Sequence, residues 1–115
     1  MILDWNKIRV FVKPGSTDMR KQVNGLSLIV MEELHKDIFE GHLYLFCNKP
    51  RRLLKIIYWD KNGFCLWLKR LEKDKFPWPQ NETEATEITL EQFGFLLSGI
   101  DFWNAHKTLE YSRIS

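Results

Sequence analysis

The sequence predicts a small α+β domain. One antiparallel sheet, made of an N-terminal strand and a three-stranded meander, packs against an amphipathic helix and a short C-terminal helix. Three observations predict this class: segments that alternate apolar and polar residues, two segments with apolar residues at helical spacing, and a length of 115 residues, which suits one modest core. We therefore expect residues 1–115 to form a single domain whose last residues, 103–115, are a tail without a clear period.

A first strand is predicted at residues 7–15, KIRVFVKPG, where apolar residues recur at alternate positions before Pro14 and Gly15 end the run. The polar residues 16–18 supply side chains that commonly cap a helix, and an amphipathic helix of about five turns is predicted after them. Its apolar face, spaced by three or four residues, consists of Met19, Val23, Leu26, Val30 and Leu34.

The meander begins with HLYLFC at residues 42–47 and continues, after the turn-forming segment NKPRR, with LLKIIYW at residues 53–59. A hairpin loop at residues 60–63, DKNG, places glycine where a positive φ is easiest and leads to a third strand, FCLWLKRL. A four-residue loop gives a predicted register, and a two-residue loop would leave the same residues on the same faces. The opposite pairs of this register on one face are Trp59 with Phe64, Ile57 with Leu66, and Lys55 with Leu68.

The C-terminal part is predicted to contain a surface connection and a helix. Residues 76–87, FPWPQNETEATE, include two prolines and then run polar and acidic, which is typical of a connection at the surface. Thr89 and Gln92 form a capping-box pattern, and the apolar residues that follow predict a short amphipathic helix ending near Gly99.

Basic residues are concentrated in one segment. The whole chain has a formal charge of +2, but residues 47–75 hold nine basic residues against three acidic ones, a local charge of +6. Residues 76–115 carry a local charge of −4, and the first 46 residues balance at zero. Such a block suits a polyanionic partner, although it is also common on the solvated face of a sheet.

No catalytic or metal-binding motif is recognisable in the sequence. The six glycines are isolated, so a glycine-rich phosphate loop is excluded. His35 and His42, with Asp37 or Glu40, match no common metal-site spacing, and we interpret both histidines as residues at the ends of a helix or a strand.

Three carboxylates are best placed for a special role: Asp18, Asp60 and Asp101. Asp18 is interpreted as a helix cap and Asp60 as a hairpin-loop residue. A three-carboxylate metal nuclease site stays open as an alternative at this point. Our prediction is nevertheless a protein that is not an enzyme and that uses no metal and no cofactor.

The sequence predicts a cytoplasmic protein. No apolar run approaches the roughly 18 residues that a membrane span requires, and the start, MILDWNK, lacks the pattern of a signal peptide. Cys47 and Cys65 are not a pair at metal spacing, and a cytoplasmic chain would keep both thiols reduced.

Eight short blocks carry a resemblance to a known family. In chain order they are DMRK (18–21), GL (25–26), FEGHL (39–43), KIIYWD (55–60), GFCLW (63–67), KRLE (69–72), FPWP (76–79) and LSGID (97–101). Together they resemble the small accessory protein, usually called TnpB, of bacterial insertion sequences of the sixty-six family, over about residues 9–102. This family is unrelated to the RNA-guided nuclease of the same name. Gln22, Ile38 and Phe102 depart from its usual glycine, proline and tryptophan.

The resemblance implies a role in DNA transposition, a form of DNA recombination, beside a separate and larger transposase that carries the catalytic carboxylates. It carries over no catalytic residue. The transposable element's ends, the transposase and another accessory protein are therefore the expected partners, and neither a membrane nor a small-molecule substrate is expected.

Two hypotheses follow for how such an accessory protein acts. In the first, basic side chains that meet at the open end of the hairpin bind DNA phosphates, and tryptophans stack on exposed bases or form an interface. The candidate DNA-binding residues are Arg20, Lys21, Lys49, Arg51, Arg52, Lys55, Lys69, Arg70, Lys73 and Lys75. The candidate stacking or interface residues are Trp59, Trp67 and Trp78. Aromatic residues in an alternating strand are more often part of the core, so each tryptophan also has that simpler interpretation.

In the second hypothesis the protein is an adaptor that docks on the transposase or another accessory subunit without contacting DNA. Both faces of the hairpin at residues 53–71 are rich in apolar residues, so one face could stay uncovered after the helices pack. The two hypotheses differ in salt dependence, because phosphate contacts weaken steeply as salt rises and an apolar interface does not.

Overall fold

The architecture was analysed in a computed structural model of the chain, which describes residues 4–81 and 85–103. In chain order the elements are β1 (Val10–Val12), α1 (Val23–Leu28), β2 (Leu43–Cys47), β3 (Leu53–Asp60), β4 (Gly63–Arg70), β5 (Thr86–Ile88) and α2 (Leu90–Leu97). A π-helical turn at Ile29–Glu33 continues α1, and a 3-10 turn at Ile38–Glu40 precedes β2. No helix among these residues is long and apolar enough to cross a bilayer.

The five strands form one sheet in the order β4-β3-β2-β1-β5. β1 runs parallel to β2, and the other neighbouring strands are antiparallel. The parallel pair arises because α1 lies between β1 and β2 in the chain, and a parallel connection needs such a crossover. The structure confirms the α+β class and the meander β2-β3-β4.

Helical segments cover both faces of the sheet, so the sheet is the middle of three layers. Residues of α2 and of the segment 76–78 cover one face; α1 and the π turn cover the other. The first core cluster consists of Val10, Val12, Leu43, Leu45, Cys47, Leu54, Ile56, Tyr58, Phe76, Trp78, Ile88, Phe93, Leu96 and Phe102. The second consists of Phe11, Leu26, Ile29, Val30, Leu34, Ile38, Tyr44, Phe46 and Ile57. The strands at the centre, β1 and β2, are therefore buried on both faces.

The β3-β4 hairpin has the predicted register. Trp59 pairs with Phe64, Ile57 with Leu66, and Lys55 with Leu68. Asp60 also pairs with Gly63, so the loop contains only two residues, and the positive φ (52°) falls on Lys61. Glycine does not take the positive φ here, because Gly63 already belongs to β4.

The first helix begins later than predicted. Its N-cap is Gln22, which makes no side-chain capping hydrogen bond. The Asp18 carboxylate instead accepts a hydrogen bond from the backbone N–H of Arg20 (2.9 Å), and the Lys21 N–H donates to the Asp18 carbonyl (3.1 Å), which closes a turn. The interpretation of Asp18 as the cap of a five-turn helix was therefore wrong. The helical turns after Leu28 are π-helical: the Leu34 N–H donates to the carbonyl of residue 29 (3.0 Å).

The C-terminal half shows one confirmed element and one correction. The predicted capping box of α2 is present: the Thr89 hydroxyl accepts from the Gln92 N–H (3.1 Å), and the Gln92 side chain accepts from the Thr89 N–H (2.9 Å). The segment 76–87 is not simply a surface connection, because residues 76–78 are buried and β5 lies at its end. Of the predicted tail 103–115, all but the first residue lie outside the described residues.

Candidate nucleic-acid interface

Two segments meet at the open end of the β3-β4 hairpin, namely the loop between β2 and β3 and the residues that follow β4. The Leu71 N–H donates to the Arg52 carbonyl (2.9 Å), and the Phe76 N–H donates to the Arg51 carbonyl (2.7 Å). We call this surface the basic end. Its basic residues are Lys49, Arg51, Arg52, Arg70, Lys73 and Lys75. The structure thus brings together six of the predicted basic residues, with Glu72 and Asp74 as the acidic residues among them.

The basic residues of the basic end differ in whether their side chains form hydrogen bonds or ion pairs within the protein. The Arg52 guanidinium donates to the Glu72 carbonyl (3.0 Å), and the Arg70 guanidinium forms an ion pair with the Glu72 carboxylate (2.9 Å). Lys49, Lys73 and Lys75 are exposed and form no ion pair with any residue in 4–81 or 85–103. These three ammonium groups are therefore exposed positive charges that are not paired with a carboxylate of the described residues.

Arg20 and Lys21 lie at the same end of the sheet as the β2-β3 loop. The Thr17 N–H donates to the carbonyl of Cys47, the last residue of β2 (2.8 Å), so the chain leads directly from this end into the turn at 18–21. The Arg20 guanidinium donates to both carboxylate oxygens of Asp18 (3.0 and 2.7 Å), and this hydrogen bonding lowers the pKa of Asp18 to about 2. The Arg20 charge is thus paired locally, whereas the Lys21 side chain is exposed.

Lys55 is in the interior and not on this surface. Its side chain is 6% exposed, and its ammonium group donates to the carbonyls of Met19 (2.7 Å) and Lys21 (2.9 Å) and to the side-chain oxygen of Gln22 (3.4 Å). These hydrogen bonds hold the segment that precedes α1 against β3. Lys55 therefore has a structural role and is not available to contact DNA.

Replacing Lys55 with alanine should lower the free energy of unfolding by about 2–4 kcal/mol, because two carbonyls lose their donor and the buried stem of the side chain is removed. Urea denaturation followed by circular dichroism measures this change. Lys73→Ala is the matched control, since its exposed side chain should cost less than about 0.5 kcal/mol. Equal losses in the two variants would contradict the structural role.

Lys69 is also engaged within the protein. Its half-buried ammonium group donates to the carbonyl of Leu97, the last residue of α2 (2.7 Å). A cation at this position satisfies a free carbonyl and interacts favourably with the negative end of the helix dipole. Lys69 thereby ties β4 to α2, and its charge is less available to a ligand than those of Lys73 and Lys75.

The three predicted tryptophans have different surroundings. Trp78 is 5% exposed, and its indole N–H donates to the carbonyls of Lys13 (2.9 Å) and Gly15 (3.1 Å), so it cannot stack on a base. Trp59 is half-buried. Trp67 is 43% exposed. Trp67 borders an apolar groove of about 240 Å³ on the α2 side of the sheet, which is lined by Trp5, Leu43, Ile56, Tyr58, Trp67, Phe93 and Leu97.

An aromatic cluster forms at the other end of the hairpin. The ring of Trp59 makes edge contacts with Phe39 and Phe64, with centroids 5.0 and 4.9 Å apart, and Phe39 is 55% exposed. We call these three residues the aromatic cluster. Since Phe64 and Arg70 are six residues apart on β4, the aromatic cluster and the basic end are separated by roughly 20 Å. Trp59 therefore does not share a surface with the phosphate-binding candidates.

Sequence analysis did not single out Phe39. This residue lies in a segment without periodicity, between α1 and β2, so no alternation pattern could indicate on which side its ring lies. Its only signal was its place in the FEGHL block. Among residues 4–81 and 85–103, no three side chains of His, Cys, Asp or Glu are grouped so that they could hold a metal ion.

Comparison with known proteins gives one family and two similar chains. The sequence model of a family described as "IS66 Orf2 like protein" matches residues 8–107. Uncharacterized protein y4hO of Sinorhizobium fredii (strain NBRC 101917 / NGR234) is 36% identical over 114 residues, which cover 99% of each chain. Uncharacterized protein y4jC of the same strain is 34% identical over 95 residues, which cover 83% of this chain and 81% of that protein. No solved structure gives a significant match.

Proposed function

The chain belongs to the IS66 Orf2-like family, and we propose that it is a cytoplasmic, non-catalytic accessory protein of insertion-sequence transposition that binds DNA phosphates through its basic end. The observation that carries the DNA part of this proposal is the meeting of two Lys- and Arg-bearing segments at one end of the sheet. The catalytic steps belong to a separate transposase, which acts beside this protein at the ends of the element.

Charge distribution supports a phosphate ligand. The basic end holds six basic residues against two acidic ones, in a chain whose total formal charge is only +2. Lys49, Lys73 and Lys75 are exposed there, and Lys21 is exposed close by. Each cation that neutralises a phosphate releases condensed counterions from DNA, which favours binding at low salt. Arg51, Arg52 and Arg70 add donors that suit phosphate oxygens.

The shape of the basic end favours contacts with the DNA backbone over contacts with base edges. Its basic residues lie on irregular segments and at the end of β4, and no helix of the described residues projects from it that could enter a major groove. Side chains on such segments reach phosphates readily, whereas sequence readout usually depends on a helix or a β-ribbon in the groove. We therefore expect the salt-dependent part of binding to dominate.

The test is fluorescence anisotropy with purified protein on duplex DNA that carries the element's terminal repeat, and on a scrambled duplex, across a salt series. Affinity should fall steeply as salt rises on both duplexes. A preference for the terminal repeat would add recognition of the element's ends to phosphate binding. Absence of binding to either duplex at low salt would overturn the proposal for the isolated protein.

The aromatic cluster supports a second candidate function, docking on the transposase or on another accessory subunit. Phe39 is an exposed large aromatic side chain, and together with Trp59 and Phe64 it forms a patch of a kind that often marks a protein interface. A pull-down with purified transposase tests this function. Capture that persists at high salt and is lost in Phe39→Ala would favour an apolar interface, because salt screens charges but leaves apolar contacts intact.

A further inference from the structure

β4 is an edge strand without the usual protection. The sheet order places β4 at one edge and β5 at the other, and no described strand lies on the outer side of β4. β5 is only three residues long, which protects an edge, whereas β4 extends over eight residues that pair with β3 one to one. Long, regular edges are pairing sites for another strand unless charges, prolines or bulges block them.

The backbone groups on the outer side of β4 can be assigned. The two-residue hairpin loop makes Asp60 and Gly63 a hydrogen-bonded pair. At the other end of the hairpin, the Leu71 N–H donates to the carbonyl of Arg52, the residue before β3. Because antiparallel ladders alternate, odd-numbered residues of β4 bond to β3 and even-numbered residues direct their N–H and C=O groups outward. The outward set is Phe64, Leu66, Leu68 and Arg70.

The charged residues of β4 do not protect the centre of this edge. Lys69 donates its ammonium group to the Leu97 carbonyl, and Arg70 is paired with Glu72 beyond the strand. The central residues are apolar and accessible: Trp67 is 43% and Leu68 is 56% exposed. Water-exposed apolar side chains on both faces of one edge gain most when a second strand covers them.

We propose that β4 pairs in antiparallel fashion with β4 of a second copy of this chain, with the two-fold axis passing between the two Trp67 residues. A two-fold axis perpendicular to the sheet keeps each residue opposite one on the same face, as pleated strands require. The pairs across the interface are then Trp67 with Trp67, Leu66 with Leu68, Cys65 with Lys69, and Phe64 with Arg70. In this register the outward backbone groups of all four residues can hydrogen-bond to the other copy, whereas a register shifted by two residues pairs fewer of them.

The strand is complementary to itself in this register. Leucine faces leucine and tryptophan faces tryptophan, and such cross-strand apolar and aromatic pairs stabilise a sheet. The positive charges of Lys69 and Arg70 fall opposite Cys65 and Phe64, so no two like charges face each other within the paired strands. The Arg70 guanidinium can also lie over the Phe64 ring of the other copy. The two-fold axis would relate two basic ends, but the pairing itself does not depend on DNA binding.

Sedimentation velocity of the full chain tests the proposal. The wild-type protein is expected to sediment as a dimer, and Leu68→Lys, which places a charge opposite Leu66 of the other copy, as a monomer with an unchanged circular-dichroism spectrum. Thr86→Lys puts the same charge on the β5 edge and should leave the dimer intact. A monomeric wild-type protein, or a dimer that persists in Leu68→Lys, would overturn the proposal. A wild-type protein that is monomeric alone and pairs its β4 edge only with a different protein would also overturn the proposal.

Disulfide trapping tests the register. In a Cys65→Ser background, Trp67→Cys places two thiols at directly opposite positions, where Cα atoms are about 4.5 Å apart and a disulfide can form. Oxidation should give a covalent dimer for this variant and much less for Leu68→Cys, whose counterparts are displaced along the strand. Cys47 does not compete, because it is fully buried and burial raises its pKa to about 12. Equal trapping of both variants would contradict the register.

Discussion

Trp78→Ala is expected to lower the free energy of unfolding by about 3–5 kcal/mol, the typical cost of removing a large buried aromatic side chain. Trp78 is 5% exposed, and its indole N–H donates to the carbonyls of Lys13 and Gly15. The Gly15 N–H in turn donates to the Pro79 carbonyl (2.8 Å). The substitution therefore opens a cavity and also weakens the link between the segment after β4 and the end of β1. Urea denaturation at fixed salt measures the loss.

Two further variants separate the contributions of Trp78. Trp78→Phe keeps most of the ring volume but leaves two carbonyls without their donor, and it should cost about 1–2 kcal/mol. Trp5→Ala removes the same side chain from a position that is 44% exposed, and it should cost about 1 kcal/mol. If Trp78→Ala were no more destabilising than Trp5→Ala, Trp78 would not be the buried anchor that the structure describes.

The contrast between Trp67 and Trp78 shows where sequence patterns stop being informative. Alternation on β3 and β4 predicted which residues share a face, and the register was confirmed, because a strand has a period of two and a short loop fixes the pairing. Alternation does not tell which face stays accessible. Trp78 follows a proline in a segment without periodicity, so no pattern predicted that it packs in the core cluster, where its N–H bonds to carbonyls 63 and 65 positions earlier in the chain.

Lys55 illustrates the same limit for charged residues. At the sequence level it is one of several basic residues in the hairpin strands and the loop before them, and no pattern distinguishes it from Arg52 or Lys69 as a buried residue. In the fold, the turn at 18–21 lies against Lys55, whose ammonium group donates to carbonyls 36 and 34 positions earlier in the chain. No local pattern around Lys55 indicates contacts so distant in sequence. The positions of the basic residues on the loops, in contrast, were predictable, because the hairpin geometry brings the loop before β3 and the segment after β4 to one end.

Removing the three accessible lysines of the basic end should weaken DNA binding more than any other single set of substitutions at exposed positions. In the variant Lys49→Gln/Lys73→Gln/Lys75→Gln, each lost phosphate contact should reduce the slope of log affinity against log salt by roughly 0.9, or about 2.7 in total. Affinity at low salt should fall roughly tenfold or more. Stability should barely change, because these side chains are exposed and form no ion pair with a described residue.

The informative control removes the same number of charges from the other end of the sheet. Lys7 precedes β1, Lys36 precedes β2, and Lys61 lies in the hairpin loop. Because a triple glutamine variant of these residues also loses three positive charges, it has the same net charge as the first variant. Long-range attraction to DNA depends on net charge and changes equally in both, whereas direct phosphate contacts depend on position. A salt slope that falls only in the basic-end variant would therefore locate the contacts there. Equal reductions in both variants would show that the protein is attracted to DNA by its overall charge and not by this surface.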